Sequence, residues 1–155
     1  MFKVCLLLVV LLIVISLYFI IVKKGTFING KNIVFKLYNL KNEIIVNTSW
    51  EYLEQQLLGK YIKKNDNVLQ LGGNIGTSCI YVDKIINKGN TNICVEPNPK
   101  VIKTLKLNKL TNKSNFNIIY GVISNSQNLK LSNKGETNDL NFWGSKIVDK
   151  GEIDI

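Results

Sequence analysis

A long apolar run is the first feature of the hydrophobic pattern along the chain. Residues 4–22 are apolar except for Ser16, and lysines flank the run on both sides. At a rise of about 1.5 Å per residue, a helix of this length approaches the ~30 Å hydrocarbon core of a bilayer. No small-residue cleavage site of a signal peptide follows the run. The pattern therefore predicts a transmembrane helix, with residues 1–24 as an uncleaved single-pass membrane anchor.

The charges around this run bear on its orientation. More lysines follow the span than precede it, which favours a cytoplasmic carboxyl-terminal domain. Two glycosylation sequons, at Asn47 and Asn112, point instead to a lumenal domain, although sequons also arise by chance in so Asn-rich a chain. The sequence thus predicts a single-pass membrane protein with a cytoplasmic domain and leaves a lumenal one open.

Beyond the anchor, the hydrophobic pattern predicts a hairpin and then a helix. Residues 33–38 and 43–46 are predicted strands, so that residues 25–47 form a linker and a β-hairpin. Thr48 and Glu51 have the spacing of a capping box, which predicts the start of a helix. The apolar positions of this helix recur at spacings of three and four and are Trp50, Leu53, Leu57, Leu58 and Tyr61.

Strands and helices alternate through the middle of the chain. Strands are predicted at residues 68–71, 92–95 and 116–120, and helices at residues 77–87 and 100–108. Strands separated by helices of this length predict right-handed crossovers and a parallel sheet covered by helices. Residues 129–131 are a predicted edge strand. We therefore expect residues 48–155 to form one α/β domain.

The composition agrees with a folded domain and narrows the choice of partner. The 155 residues are 46% hydrophobic and 20% charged, which suits a chain with a packed core. The formal net charge is +9, yet every basic residue is a lysine and the lysines are scattered. Because the chain has no arginine and no recognisable basic motif, we do not expect nucleic acid as a partner.

Histidine and cysteine usage excludes several kinds of site. The chain has no histidine, which removes the commonest general base and the imidazole metal ligand. Its three cysteines lack a CxxC spacing, so we expect neither a zinc finger nor a disulfide scaffold, and we predict no metal site. Cys79 and Cys94 fall in a predicted helix and a predicted strand, where we expect buried thiols.

A glycine-rich turn joins the first predicted parallel strand to its helix. It contains Gly72, Gly73 and Gly76, with Asn74 between them. Glycine lets the backbone adopt positive φ and pass close to a ligand, and Asn tolerates the same conformation better than most residues. The free amides at the helix start, near Thr77, then suit a carboxylate or a phosphate.

An acidic residue follows at the end of the second predicted strand. Glu96 lies twenty residues after Gly76, where a carboxylate accepts hydrogen bonds from the two hydroxyls of a ribose. Either feature alone is equally well explained without a ligand, but the two together on a βαβ pattern favour ligand binding. The dinucleotide fingerprint GxGxxG does not fit, because Asn74 and Thr77 stand where its second and third glycines belong.

Residues 68–78 (VLQLGGNIGTS) and 95–99 (VEPNP) together resemble the motifs of the FkbM-type family of class I S-adenosylmethionine-dependent methyltransferases. The resemblance implies an incomplete Rossmann-like parallel sheet with flanking helices, preceded by the transmembrane helix and the β-hairpin. It also implies S-adenosyl-L-methionine as the cofactor. The cofactor-binding residues that it implies are Gln70, Gly72, Gly73, Asn74, Gly76, Thr77, Glu96 and Asn98.

Two departures from the family pattern bear on activity. Gln70 stands where the family usually has an acidic residue, so it supplies no charge to the cationic groups of the cofactor. The family's fourth strand, with its acidic motif, has no counterpart before Ile155. The strand at residues 68–71, central in the family, is therefore expected at an edge of the sheet, where its unpaired backbone groups favour a homodimer.

These features support three functional hypotheses. The first is a membrane-anchored S-adenosylmethionine-dependent methyltransferase-like protein, an O-methyltransferase of a small-molecule, sugar or lipid substrate, as the family implies. The sequence identifies no catalytic residue for it. The second is a catalytically inactive methyltransferase remnant that acts as a binding or interaction module at a membrane. The third is a nucleotide-binding module that uses the same turn for another ribose ligand.

Overall fold

The computed structural model describes residues 8–17, 33, 35–45, 51–125, 129–132, 146–148 and 153–154. The first of these ranges is helix α1, whose large apolar side chains are exposed. Among the described residues, no helix is both long and apolar enough to cross a bilayer. The rest of the predicted span, residues 4–7 and 18–22, lies outside the described part of the chain.

A three-stranded parallel sheet forms the centre of the fold. Its strands are β1 (Val68–Leu71), β2 (Asn92–Glu96) and β3 (Asn117–Tyr120), in the order β1-β2-β3. The register pairs Leu71 with Val95 and Val95 with Ile119, so the carboxyl ends of the strands meet at one edge of the sheet. The predicted mixed α/β fold with a parallel sheet is confirmed.

Three helices accompany this sheet: α2 (Tyr52–Tyr61), α3 (Thr77–Ile85) and α4 (Pro99–Thr111). As the alternating pattern predicts, α3 follows β1 and α4 follows β2. At the start of α4, the Asn98 side chain accepts a hydrogen bond from Lys100 N at 3.0 Å, and Pro99 follows this N-cap directly. The carboxyl end of α3 comes two residues earlier than predicted because Ile86 is extended.

The core is built from α3, α4, β2 and the segment that precedes α2. Its buried members are Phe35, Leu37, Cys79, Ile80, Tyr81, Cys94, Leu105 and Phe116. Cys79 and Cys94 are both buried and free, as the sequence predicts. A hydrogen bond with Cys94, together with burial, raises the pKa of the Cys79 thiol far above its ordinary value. This thiol therefore stays protonated at neutral pH.

The predicted hairpin is formed within residues 35–45, with one isolated bridge, between Tyr38 and Ile44, instead of two strands. Its first arm is held by asparagine side chains of α4. Asn108 Oδ1 accepts a hydrogen bond from Tyr38 N at 2.7 Å, and Asn108 Nδ2 donates to Tyr38 O at 3.0 Å. Asn112 makes the same pair of bonds with the backbone of Lys36. The two amides thus pair with the arm much as a neighbouring strand would.

The predicted start of α2 is wrong, and its predicted buried face is confirmed only at Leu58. Glu51 is the N-cap of α2, at φ 52°, and not a member of its first turn; within the described residues no side chain caps this helix. Thr48, the other half of the predicted capping box, lies outside the described residues. The predicted apolar positions Leu53, Leu57 and Tyr61 are exposed, whereas Gln55 is buried. Leu58, three residues after Gln55, is the predicted apolar position of α2 that packs against the core.

A small antiparallel sheet follows the parallel one. Its strands are β4 (Lys130–Ser132), β5 (Lys146–Val148) and β6 (Ile153–Asp154), in the order β5-β4-β6. β4 overlaps the predicted edge strand at residues 129–131, but it is the central strand, so the predicted edge position is wrong. Pairing on both sides, rather than an alternating pattern, defines this strand, and Leu131 is buried.

The edge position predicted for β1 is confirmed among the described strands. Leu69 and Leu71 point to one face of the sheet and are 54% and 63% exposed. Apolar residues at an unpaired edge invite pairing with another chain. The homodimer itself stays a prediction.

Candidate functional site

The glycine-rich turn lies at the carboxyl edge of the parallel sheet, directly after β1. Gly72 N and Gly73 N both donate to Val95 O, at 2.9 and 3.1 Å, which fixes the turn to the neighbouring strand. Gly72 has φ 82° and Asn74 has φ 46°. The predicted positive φ of both residues is therefore confirmed.

Each glycine of the turn has a different surrounding. A Cβ on Gly73 would lie 2.1 Å from Cys94 Sγ, and one on Gly76 would lie 2.6 Å from Leu105 Cδ1. These two glycines are needed for close packing against the core. A Cβ on Gly72 would meet no atom within 4 Å. Only Gly72 therefore leaves open space beside the turn, where a ligand can approach its backbone.

Glu96 lies against this turn and is 6% exposed. Its Oε2 accepts a hydrogen bond from Asn74 N at 2.7 Å, and its Oε1 accepts one from Asn98 N at 2.7 Å. Burial raises the pKa of Glu96, and the two backbone amides partly offset this effect. The turn after β1 and the acid at the end of β2 thus share one crevice.

A cavity of about 280 Å³ opens at this crevice. It is lined by Glu51, Glu54, Gly72, Gly73, Asn74, Ser78, Glu96, Pro97, Asn98, Val101, Leu131 and Ile147. The structure therefore brings together five of the residues singled out from the sequence. They are Gly72, Gly73, Asn74, Glu96 and Asn98.

The other three predicted cofactor residues do not line the cavity. Gln70 donates from Nε2 to Asn92 Oδ1 at 2.8 Å, on the face of the sheet that α3 covers. Gly76 and Thr77 are buried behind the turn. For Gln70 the reason is geometric: side chains alternate along β1, and this one is directed at the partner strand and the helix.

Two acids that the sequence analysis did not assign to the site are Glu51 and Glu54, from the amino-terminal end of α2. The pKa of Glu51 is raised to about 7, mainly by burial and also by the neighbouring Glu54 carboxylate, while the Thr77 hydroxyl partly offsets these effects. The order of α2 and β1 along the chain could have indicated that these acids lie at the site. A helix joined to the next strand by a short loop runs back along it, so its amino end lies near the carboxyl end of that strand.

The cavity fits an adenosyl group in several respects. A carboxylate has about four acceptor positions, so each Glu96 oxygen keeps one for a ribose hydroxyl beside its backbone bond. The open side of Gly72 admits a ligand to the backbone. Pro97, Val101 and Leu131 supply an apolar wall suited to a base.

Comparison with known proteins adds no assignment for this site. No model of a protein family matches the chain, and no curated protein matches it.

Proposed function

We propose that this protein is a membrane-anchored methyltransferase-like protein that binds S-adenosyl-L-methionine in the cavity between the glycine-rich turn and Glu96. The observation that carries this proposal is the 2.7 Å hydrogen bond from Asn74 N to Glu96 Oε2. It brings together the two features that the resemblance assigns to one cofactor. On this proposal, the three-stranded sheet is part of a Rossmann-like methyltransferase fold, and residues 4–22 are its anchor.

Each part of the cavity has a defined role in this proposal. Glu96 would bind the ribose hydroxyls, and Asn98 holds that carboxylate in place through its backbone amide. The open face of Gly72 would lie beside the ligand. When bound, S-adenosyl-L-methionine supplies a methyl group on a sulfonium, which is already activated for displacement. The residues of the cavity would then hold and orient the ligand and exclude water, and a hydroxyl acceptor would also need a base to take its proton.

Ligand titration of the full chain, purified in detergent, tests this proposal. We expect S-adenosylmethionine and S-adenosylhomocysteine to bind to the wild type. Glu96→Gln keeps the shape of the side chain but removes a charged acceptor, so it should weaken binding by about tenfold to a hundredfold. Asp66→Asn is the matched control, since Asp66 lies in an exposed turn where it accepts a bond from Lys63 N.

A second variant, Gly72→Asn, tests the same site in case Glu96→Gln does not fold. Gly72→Asn accepts the positive φ of this position and projects a side chain into the open space beside it. It should therefore remain folded and still lose binding. Gly89→Asn adds the same side chain at a glycine that also has open space and lies between α3 and β2. Equal ligand affinity in the Gly72 and Gly89 variants would contradict the proposal.

The inactive remnant remains a second candidate, and two observations favour it. The Gln70 amide is neutral and bound to Asn92, and among the described strands β1 lies at an edge of the sheet with exposed leucines. A remnant would bind an adenosyl ligand without transferring its methyl group, or would bind none. Incubation of the full chain with a methyl-labelled cofactor and hydroxyl-bearing sugars or lipids separates these outcomes from an active enzyme.

A further inference from the structure

A second cavity lies at the edge of the parallel sheet opposite the glycine-rich turn. Its volume is about 1070 Å³, and it is lined by the later parts of α3 and α4, the residues that follow them, and residues near the start of β2 and β3. Among the described residues, it shares no lining residue with the cavity at Glu96. The two cavities can therefore bind different ligands.

Five lysines line this second cavity, although they are scattered along the sequence. Asp83 is the only carboxylate among the described lining residues, and its Oδ2 accepts a hydrogen bond from Asn115 N at 3.1 Å. Five lysines against one aspartate leave this lysine cavity with an excess of four formal positive charges. Such an excess favours an anionic ligand. The five lysines are Lys84, Lys88, Lys106, Lys109 and Lys113.

Lysines near the carboxyl end of a helix ordinarily stabilise the helix dipole. This role explains Lys84, in the last turn of α3, whose Nζ donates to Asn112 O at 2.7 Å. It also explains Lys109, in the last turn of α4, whose Nζ lies 5.5 Å from the centre of the Phe116 ring. It does not explain Lys106, which lies three residues before Lys109 on the same helix, where like charges repel each other.

Lys113 has a backbone conformation that is unfavourable for a lysine. It follows the C-cap of α4 at φ 52°, in the left-handed region, where glycine is the usual residue. A lysine at this position therefore costs stability that a glycine would not cost. A role for its charge in binding accounts for this choice of residue.

A buried hydroxyl in the same cavity is an independent sign of a ligand. Ser114 lines the lysine cavity and is 9% exposed. Its Oγ has no hydrogen-bond partner among the described residues. A buried hydroxyl without a partner costs free energy, and a phosphate oxygen bound among the lysines would accept its hydrogen.

We propose that the lysine cavity binds a ligand that carries two or more phosphate groups. Ammonium groups of lysine bind phosphate as point charges, and the Ser114 hydroxyl adds a further donor. One phosphate group carries about two negative charges, so an excess of four positive charges matches two of them. Nucleic acid is a poorer fit, because the described lining residues include no aromatic side chain on which a base could stack.

Calorimetric titration of the full chain in detergent with inorganic triphosphate tests this proposal. We expect triphosphate to bind to the wild type more tightly than inorganic phosphate does. Lys106→Gln/Lys113→Gln should weaken triphosphate binding about tenfold, since each exposed charge contact contributes a factor of roughly three. Lys60→Gln/Lys103→Gln is the matched control, because it removes the same charge at two exposed positions outside the cavity. It should leave the affinity nearly unchanged.

Two single variants separate binding from folding. Lys113→Gly removes the strain of the left-handed conformation, so it should make the protein more resistant to unfolding and still weaken triphosphate binding about threefold. Ser114→Ala removes a hydroxyl that has no partner among the described residues, so it should not destabilise the protein. It should nevertheless weaken triphosphate binding about fivefold, the contribution of one hydrogen bond.

A lipid headgroup and a soluble ligand are both sources of such phosphates, and further titrations distinguish them. Tighter binding of dioctanoyl phosphatidylinositol bisphosphate than of inositol trisphosphate, its free headgroup, would indicate a lipid. Equal or weaker binding of the lipid would indicate a soluble ligand, and both results support the proposal.

Three results would overturn the proposal. The first is a folded wild type that does not bind triphosphate. The second is an equal loss of affinity in the two double lysine variants. The third is a single-stranded oligonucleotide that binds to the wild type more tightly than triphosphate and more weakly to Lys106→Gln/Lys113→Gln, which would assign the lysine cavity to nucleic acid.

Discussion

At the scale of single residues, the closest packing in the site is between Gly73 and Cys94. A Cβ at position 73 would come within 2.1 Å of Cys94 Sγ, whereas its distance to Cys79 Sγ would be an ordinary 3.5 Å. The turn can therefore reach Val95 O only because position 73 has no side chain. This requirement comes from the fold and is separate from any ligand.

A double-mutant cycle tests this requirement. Gly73→Ala should destabilise the protein by about 2 kcal/mol, because the added methyl group overpacks the core. In a Cys94→Ala background the sulfur is absent, and most of this penalty should disappear. Chemical unfolding of the four variants of the full chain measures the coupling between the two sites. Penalties that simply add would contradict the packing described for Gly73.

The positive φ of Asn74 was predictable from residue type, but the partner of its amide was not. Asn in a glycine-rich turn indicates the left-handed conformation by itself. That Asn74 N would donate to Glu96, rather than to a ligand or to water, depends on how the turn after β1 meets the end of β2. The residue pattern of one segment carries no information about the distance between Asn74 and Glu96.

At the scale of elements, α4 connects the hairpin to the site. Asn108 is buried; it binds the backbone of Tyr38 and also donates from Nδ2 to Ile75 O at 2.8 Å. Ile75 lies within the glycine-rich turn. One side chain thus joins the hairpin arm, the helix and the turn, in the absence of strand pairing between them.

Replacing this side chain should affect stability strongly. Asn108→Leu keeps a similar volume but leaves Tyr38 N and the carbonyls of Tyr38 and Ile75 without their partner. We expect a loss of about 3 kcal/mol in the free energy of unfolding, the cost of several buried groups left unpaired. Asn115→Leu, at an exposed position, is the matched control and should change the free energy little. Equal effects of the two substitutions would contradict the role given to Asn108.

The same helix bears on one of the two glycosylation sequons. Asn112 Nδ2 donates to Lys36 O and to Asn108 O, both at 2.7 Å. A glycan replaces one of the two hydrogens on this nitrogen, so it would break at least one of these bonds in the folded protein. The sequon at Asn112 therefore gives little support to a lumenal domain.

The elements that the sequence predicted well are those with a local pattern. β1 occupies the predicted residues, because a short run between Asn67 and Gly72 defines it. β2 extends one residue further than predicted, to Glu96. The start of α2 was predicted wrongly, because the residue spacing of a capping box is present while the described residues form no side-chain cap. Glu51 and Glu54 were missed as site residues, since their place in the cavity depends on how α2 packs, and this packing buries Gln55 and part of Leu58 while most of the apolar stripe stays exposed.

At the scale of the whole molecule, the edge position of β1 among the described strands predicts self-association. A homodimer that pairs two copies of this edge would cover Leu69 and Leu71. Light scattering of the full chain in detergent should give a dimer, and Leu69→Lys should give a monomer, because a charge at an edge opposes pairing. Leu110→Lys, at another exposed leucine, should leave the dimer intact. A monomeric wild type would contradict this prediction.

The two sheets differ in how well the sequence pattern predicts them. The parallel sheet follows from strands and helices that alternate along the chain. The antiparallel sheet joins β4 to β5 and β6 through pairs that are short and distant in sequence. Strands of two or three residues have no measurable periodicity, so their pairing, and the wall that Leu131 and Ile147 add to the cavity, appear only in three dimensions.

The most direct test of the central claim is a crystal structure of the protein with S-adenosylhomocysteine. The account predicts that the ligand lies in the cavity beside Gly72, with the ribose hydroxyls within hydrogen-bond distance of the Glu96 carboxylate. A ligand bound elsewhere, or a cavity that stays empty at saturating ligand concentration, would contradict it.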